Sequence, residues 1–409
     1  MWRTGGTIAA IRISTIALRF ALTVYMTAFL GLVAVGQYGL IAGLAILAPA
    51  LVGLGLNFHL CRDVAGEKQE AALALVRDRM RFSLFVLALV TVAGLVAHLV
   101  LLGPIPPMTL LVVGILWGEA LGTDLYLGLT GMQRNILANL AVGLRSACWI
   151  PFAVLLGLAM PEMRTLDVVL TCWAIGTWAS LFIVFTVLAR SDPDRALHTA
   201  PPTGWVGRTV RAGMVIWPSD LALVLITFGD RFIMSTLVSD RELGIYVFFW
   251  TFANMVQTLL QSSLVTPALP RLVIRFRESR EAWSMKIKQL AVLLLACSTV
   301  MAVGGLLFIW IGHRYVPQSS FPWNLVLGLL VFLGMVVRLL SDFLSTALNS
   351  AGFVRAYVAT NIVYATLLLG AVAVGTDAFG IIGTAIAAIT AGAIATLVKL
   401  ISLSKVRTS

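Results

Sequence analysis

Apolar runs long enough to cross a membrane recur along this chain from residue 8 to residue 402. A helix of about 20 apolar residues spans the hydrocarbon core, and in lipid only a helix or a closed barrel satisfies its own backbone donors and acceptors. Twelve such runs can be read, at roughly 8–33, 37–58, 82–102, 108–130, 137–160, 166–189, 212–237, 243–268, 289–311, 324–348, 356–375 and 379–402. The expected fold class is therefore an all-α polytopic membrane protein. Composition agrees: only 11% of residues are charged, against about a quarter in a soluble protein. The longest connection, 190–211, is polar and too short for a soluble domain. The first run lacks a short apolar region followed by a cleavage site, so it reads as a span and not as a signal peptide. Cys61, Cys148, Cys172 and Cys297 share no metal-binding spacing and read as small apolar filler.

The net charge of +11 does not point to nucleic acid, because the basic residues alternate between loops. With the N-terminus placed in the cytoplasm, 21 Lys and Arg fall on the cytoplasmic side and 3 on the other (Arg164, Arg241 and Arg314). The positive-inside rule favours that orientation, with both termini cytoplasmic. The cytoplasmic set includes Arg62, Lys68, Arg77, Arg79 and Arg81 after the second span, and Lys399 near the C-terminus. Five arginines remain inside the membrane: Arg12, Arg19, Arg145, Arg231 and Arg338.

The halves echo each other. GMQR (Gly131 to Arg134) follows span four and GFVR (Gly352 to Arg355) follows span ten; Gly39 opens span two and Gly244 opens span eight; a long basic stretch follows each of those two spans. Six spans per half is an even number, so the repeat is parallel, about an axis along the membrane normal. The expected organisation is a six-helix lobe over 1–190, a cytoplasmic linker over 191–211 with a Pro201–Pro202 pair, and a six-helix lobe over 212–409. Two lobes with a site between them suit alternating access.

Ionisable residues within a span are costly and usually face protein or water. Arg12 and Arg19, seven residues apart, share a helix face. Arg12 can snorkel to the surface; Arg19 lies deeper, with no acid in its own span. Arg145 has two readings, a second positive group in a polar cavity or a partner of Glu119 or Asp124 on span four. In span seven, Asp220 and Arg231 share a face, and Asp230 points about 80° away. Pro218 is expected to bend that helix near Asp220. The segment is a polar-striped wall, and Asp230 and Arg231 serve either pairing or coupling. Arg338 and Asp342 stand i,i+4 and are expected to pair within their helix.

No nucleotide, metal or nucleophile motif of an enzyme is present, and no cofactor is implied. The stretch from Asp230 to Leu272, with Asp230-Arg231 near the end of span seven, Leu243-Gly-Ile-Tyr246 opening span eight and Pro270-Arg271 at its exit, resembles the polysaccharide-transporter branch of the multidrug/oligosaccharidyl-lipid/polysaccharide (MOP) flippase superfamily. A weaker form occupies the first lobe, VGQYGLIAGLAILAPALVGLGLNFHLCRDVAG. The resemblance implies a flippase for undecaprenyl-diphosphate-linked oligosaccharide, a precursor of O-antigen, capsule or exopolysaccharide, at the bacterial inner membrane. It also implies two pseudo-symmetric lobes forming a V-shaped cavity, drive from H+, Na+ or the membrane potential, and polysaccharide polymerase machinery as a partner. On this reading Arg19 and Arg145 hold the diphosphate headgroup, Arg231 and Arg12 assist, and Asp220 or Asp230 serves the coupling ion. A cation-driven drug exporter of the same fold, or a non-transporting envelope-assembly protein, is the alternative.

Overall fold

The computed structural model describes residues 2–101, 103–191, 204–315 and 321–408, as helices joined by short turns. Most of the expected linker, with Pro201 and Pro202, lies outside the described residues, as does part of the loop before span ten. Among the described residues ten helices are long and apolar enough to cross a membrane, and a bent pair makes an eleventh. The last helix, Val354–Thr408, has 55 residues; straight, it would run about 80 Å, far beyond one bilayer. Phe379 and Gly380 leave helical geometry within it, Gly380 at φ 59°. Its halves fold back on each other. Gly383 backs onto the Gly375 carbonyl, Thr376 and Thr384 share a hydrogen bond of 2.7 Å, and Tyr364, Leu368 and Val372 share a core with Ala387, Ala391 and Ala395. The hairpin divides this helix into the eleventh and twelfth spans. The protein is thus a multi-pass, all-helical membrane protein, and side chains such as Phe85, Val100, Phe152, Phe182 and Val300, all well over half exposed, form the surface that lipid covers.

By internal packing the chain divides into two compact units. One comprises Met1–Tyr25 and Ile41–Leu221, the other Met26–Leu40 and Ala222–Ser409. In the first unit, helix Leu32–Gly53 ends at Leu54 and Gly55, both at positive φ, and a short helix, Leu56–Val64, follows. A Cβ on Gly55 would lie 2.1 Å from the Gly213 carbonyl oxygen, so this turn needs glycine for φ and for space. Trp205 donates through Nε1 to Asp63 Oδ2 at 2.9 Å, and Trp217 to the Ala50 carbonyl at 2.9 Å. These bonds tie helix Trp205–Gly213 and the start of helix Trp217–Leu237 to this unit. The two helices meet at 60°. The expectation that Pro218 bends a continuous span near Asp220 is corrected here: the break lies just before Trp217, and Pro218 sits in the first turn of the new helix, where a missing N–H costs no intrahelical bond.

A second correction concerns the basic stretch after span two. The helix expected to begin at 82 begins at Gln69 and runs to Leu101. Of its buried positions, Ala72, Leu75, Val76, Arg79, Met80, Ser83 and Leu87 follow the three-and-four spacing of one helix face, with Ala74 beside it. Arg79 stands on that face, 1% exposed, and is not a loop charge. Lys399, counted with the cytoplasmic residues, is fully buried on the series Ala387, Ala391, Ala395, Lys399, Leu403.

The GMQR and GFVR turns do share a form. Arg134 N–H reaches back to the Leu129 carbonyl and Phe353 N–H to that of Leu348, the six-to-one bond of a Schellman cap. The left-handed residues are Gln133 (φ 61°) and Gly352 (φ 80°), so the turns correspond two residues away from the glycine-based match. Gly131 serves packing instead, with the Cys61 carbonyl 2.8 Å from where its Cβ would be.

In the second unit, Gly36 and Gly244 bring helices Leu32–Gly53 and Asp240–Leu260 into backbone contact. A Cβ on Gly244 would stand 1.9 Å from the Leu32 carbonyl oxygen, a close small-residue crossing. Gly244→Val is expected to lower stability by about 2 kcal/mol or more or to abolish folded yield. Gly94→Ala, where a Cβ meets open space, is expected to be neutral. Thermal unfolding of the purified variants checks both.

Candidate functional site

The intramembrane charges fall into separate sets. In the first unit, helix Trp2–Phe29 carries Arg12 and Arg19. Arg12 Nε donates to Asn139 Oδ1 at 3.2 Å and Arg19 Nε to the Ser146 carbonyl at 3.4 Å. Both side chains are exposed on the protein, and among the described residues neither is paired with a carboxylate. Span five explains the acceptor for Arg19. It runs as Asn135–Gly143, a π-helical turn over Leu144–Cys148, and Ile150–Ala159 with Pro151 near its start. In the wider π register the carbonyl of Ser146 would take the N–H five residues on, and that residue is Pro151, which has none. Arg19 is the side-chain donor to that carbonyl.

The same π turn buries Arg145. Its Nε lies 3.1 Å from Glu119 Oε2, and its Nη1 donates to the Glu119 carbonyl at 3.0 Å. Trp173 Nε1 donates to the other Glu119 carboxylate oxygen at 3.0 Å and its ring stacks on Trp149. Gly122 leaves the room: a Cβ there would stand 2.1 Å from Arg145 Nη1. Of the readings open for Arg145, the ion pair is the one observed, and Glu119 is the partner. Asp124 belongs to Arg79, at 2.8 Å. Ser83 donates to its other oxygen, and Arg79 Nη2 donates to Asn57 Oδ1 at 3.0 Å.

In the second unit, Asp230 and Arg231 are both buried. Asp230 accepts from the Arg231 backbone N–H at 2.8 Å and from the Tyr246 hydroxyl at 2.6 Å. The Arg231 guanidinium lies 3.6 Å from the centre of the Trp250 ring and 4.9 Å from that of Phe228, a cation–π box, and donates to the Gly39 carbonyl at 3.2 Å. Arg338 Nε lies 3.9 Å from Asp342 Oδ2, the expected i,i+4 pair, and Gln257 Nε2 donates to the same oxygen at 3.1 Å. Lys399 Nζ donates to Ser341 Oγ at 2.8 Å. Asp220, which belongs to the first unit and is half-buried, has no paired group among the described residues.

The polysaccharide biosynthesis protein family matches residues 1–276. The chain belongs to that family. Among solved structures it is similar to an inward-facing multidrug resistance MATE family transporter of the MOP superfamily (TM-score 0.69, 14% identity, 97% of this chain and 96% of that one). It is similar too to the lipid II flippase MurJ in an inward closed conformation (TM-score 0.69, 13% identity, 97% and 87%), and to the Vibrio cholerae MATE transporter VcmN in its bent form (TM-score 0.55, 12% identity, 98% and 98%). The fold is that of the MOP transporters. No curated protein matches the sequence.

Sequence reasoning missed Arg79 and Lys399 as interior charges, together with the groups that receive them. Their signal was periodicity. Each stands at helical spacing from buried apolar neighbours, and a boundary drawn by hydropathy alone placed Arg79 outside its span. Breaking the buried pair strands a charge, which costs about 3–5 kcal/mol. Arg79→Met is therefore expected to destabilise the protein by that amount, and Arg79→Met with Asp124→Leu to recover most of the loss in thermal unfolding.

Proposed function

We propose that the protein flips undecaprenyl-diphosphate-linked oligosaccharide from the cytoplasmic to the periplasmic leaflet of the bacterial inner membrane, by alternating access, for surface polysaccharide. Membership of the polysaccharide biosynthesis family on a transporter fold supports the class. The observation that carries the substrate is the pair Arg12 and Arg19: two guanidiniums on one helix, exposed, each held by a neutral oxygen and neither by a carboxylate. A guanidinium at membrane depth keeps its charge and presents a planar fork of donors that fits phosphate oxygens. Such a pair lowers the cost of carrying a diphosphate past the bilayer centre.

Arg145 and Arg231 serve in this reading from where they are held. The Arg145–Glu119 pair pins the π turn whose Ser146 carbonyl positions Arg19. Arg231, boxed by Trp250 and Phe228, fixes the wall that carries Asp230. Of the two coupling candidates, Asp220 has the open carboxylate, whereas Asp230 is engaged by Tyr246.

A strain lacking the gene, with later surface-glycan steps intact, is expected to accumulate an undecaprenyl-diphosphate oligosaccharide confined to the inner leaflet. Mass spectrometry with leaflet-selective labelling reads this. Arg19→Ala, inserted at normal level, is expected to restore surface glycan at least about tenfold less well than wild type, the loss of one or two charge-assisted hydrogen bonds. Full restoration by Arg19→Ala removes the arginine role. Absence of accumulated lipid together with normal surface glycan moves the reading to an exporter of drug-like molecules.

A further inference from the structure

Among the described residues in the apolar runs of the second unit, the charges that are not exposed are two carboxylates, Asp230 and Asp342, and three cations, Arg231, Arg338 and Lys399, while Asp377 stands exposed beside the hairpin. Neutral donors and acceptors surround the carboxylates. The Tyr246 hydroxyl is on Asp230 and the Gln257 amide on Asp342. A cavity of about 40 Å³ touches Asp230, Asn254, Gln257 and Arg338. A second, of about 180 Å³, touches Thr227, Arg338 and Asp342. Carboxylates among neutral oxygens, in a space sized for a few waters, are the surroundings a small hard cation takes.

Arg338 lines both cavities. Its Nη2 donates to Thr227 Oγ1 at 2.5 Å, whereas its buried Nε has no hydrogen-bond partner and lies 3.9 Å from Asp342 Oδ2. That contact is loose. Arg79 and Asp124 stand much closer, at 2.8 Å. The Arg338 guanidinium stands in the space beside the carboxylate more than it clamps it. We propose that Arg338 is the cation of this site, supplied by the chain itself, and that it closes the second unit to diffusible metal cations. Arg231 already sits beside Asp230 and Lys399 adds a third positive group, so no buried negative charge is left over for a sodium ion to neutralise. Removing Arg338 uncovers Asp342 and opens a site for a monovalent cation of the sodium class. This goes beyond the flippase reading and holds for a transporter of any substrate.

The test needs no substrate. Purified full-length protein is unfolded thermally at constant ionic strength while Na+ replaces choline. Wild type is expected to show no Na+-specific shift in Tm. Arg338→Ala is expected to gain a saturable upward shift of several degrees, Arg338→Lys to gain none, and Arg338→Ala with Asp342→Asn to lose the gain. If Arg338→Ala is too unstable to purify in choline, its recovery by Na+ is the same result. A saturable Na+ shift in wild type overturns the proposal, as does Arg338→Ala that neither responds to Na+ nor is recovered by it. A wrong substrate assignment leaves every arm unchanged.

Discussion

An ionised side chain inside a membrane-spanning helix costs about 2.5–3.5 kcal/mol on insertion scales unless protein or water receives it, and the interior of both units is organised around that cost. Arg79 is received by Asp124 and Asn57, and Ser83 donates to the other oxygen of Asp124. Arg145 is received by Glu119, itself held by Trp173. Arg231 is received mainly by aromatic faces, and Lys399 by a serine and the Tyr364 ring. Against this background Arg12 and Arg19 stand apart. They are held by neutral oxygens only, and they remain exposed on the protein surface.

Helix irregularities place these groups. The π turn over Leu144–Cys148 buries Arg145 and leaves the Ser146 carbonyl open to Arg19. Glycines make space where side chains or backbones meet: Gly122 for the Arg145 guanidinium and Gly244 for the crossing against Leu32. Local backbone geometry, interior charge and a candidate substrate contact are thus links of one chain of cause. Pro151 offers no N–H to the Ser146 carbonyl, and an arginine seven residues beyond Arg12 donates to it.

Much of the fold was legible because hydropathy is a strong signal over 20 residues. Twelve crossing segments were read where the structure has ten long helices, a bent pair and a hairpin. The i,i+4 pair Arg338–Asp342 and an acid on span four for Arg145 were legible too, from helix spacing and sequence neighbourhood. Helix ends were not. Hydropathy falls off where a helix continues on a polar, half-buried face, so Gln69 to Arg81 looked like loop although its burial follows helical spacing. Which acid receives Arg145 depends on how two spans pack, and no local pattern carries that. The turn match at GMQR failed because a left-handed position was filled by Gln133, a residue with no turn signature.

The most direct measurement is leaflet exchange in proteoliposomes holding the purified protein and an undecaprenyl-diphosphate oligosaccharide, read by access of an external glycan-cleaving enzyme over time. Wild-type protein is expected to expose the inner-leaflet lipid faster than Arg19→Ala or protein-free vesicles do, with a drug-like cation of the exporter class left in place. Exchange no faster than in empty vesicles, in protein that is folded and correctly inserted, would contradict the flippase assignment.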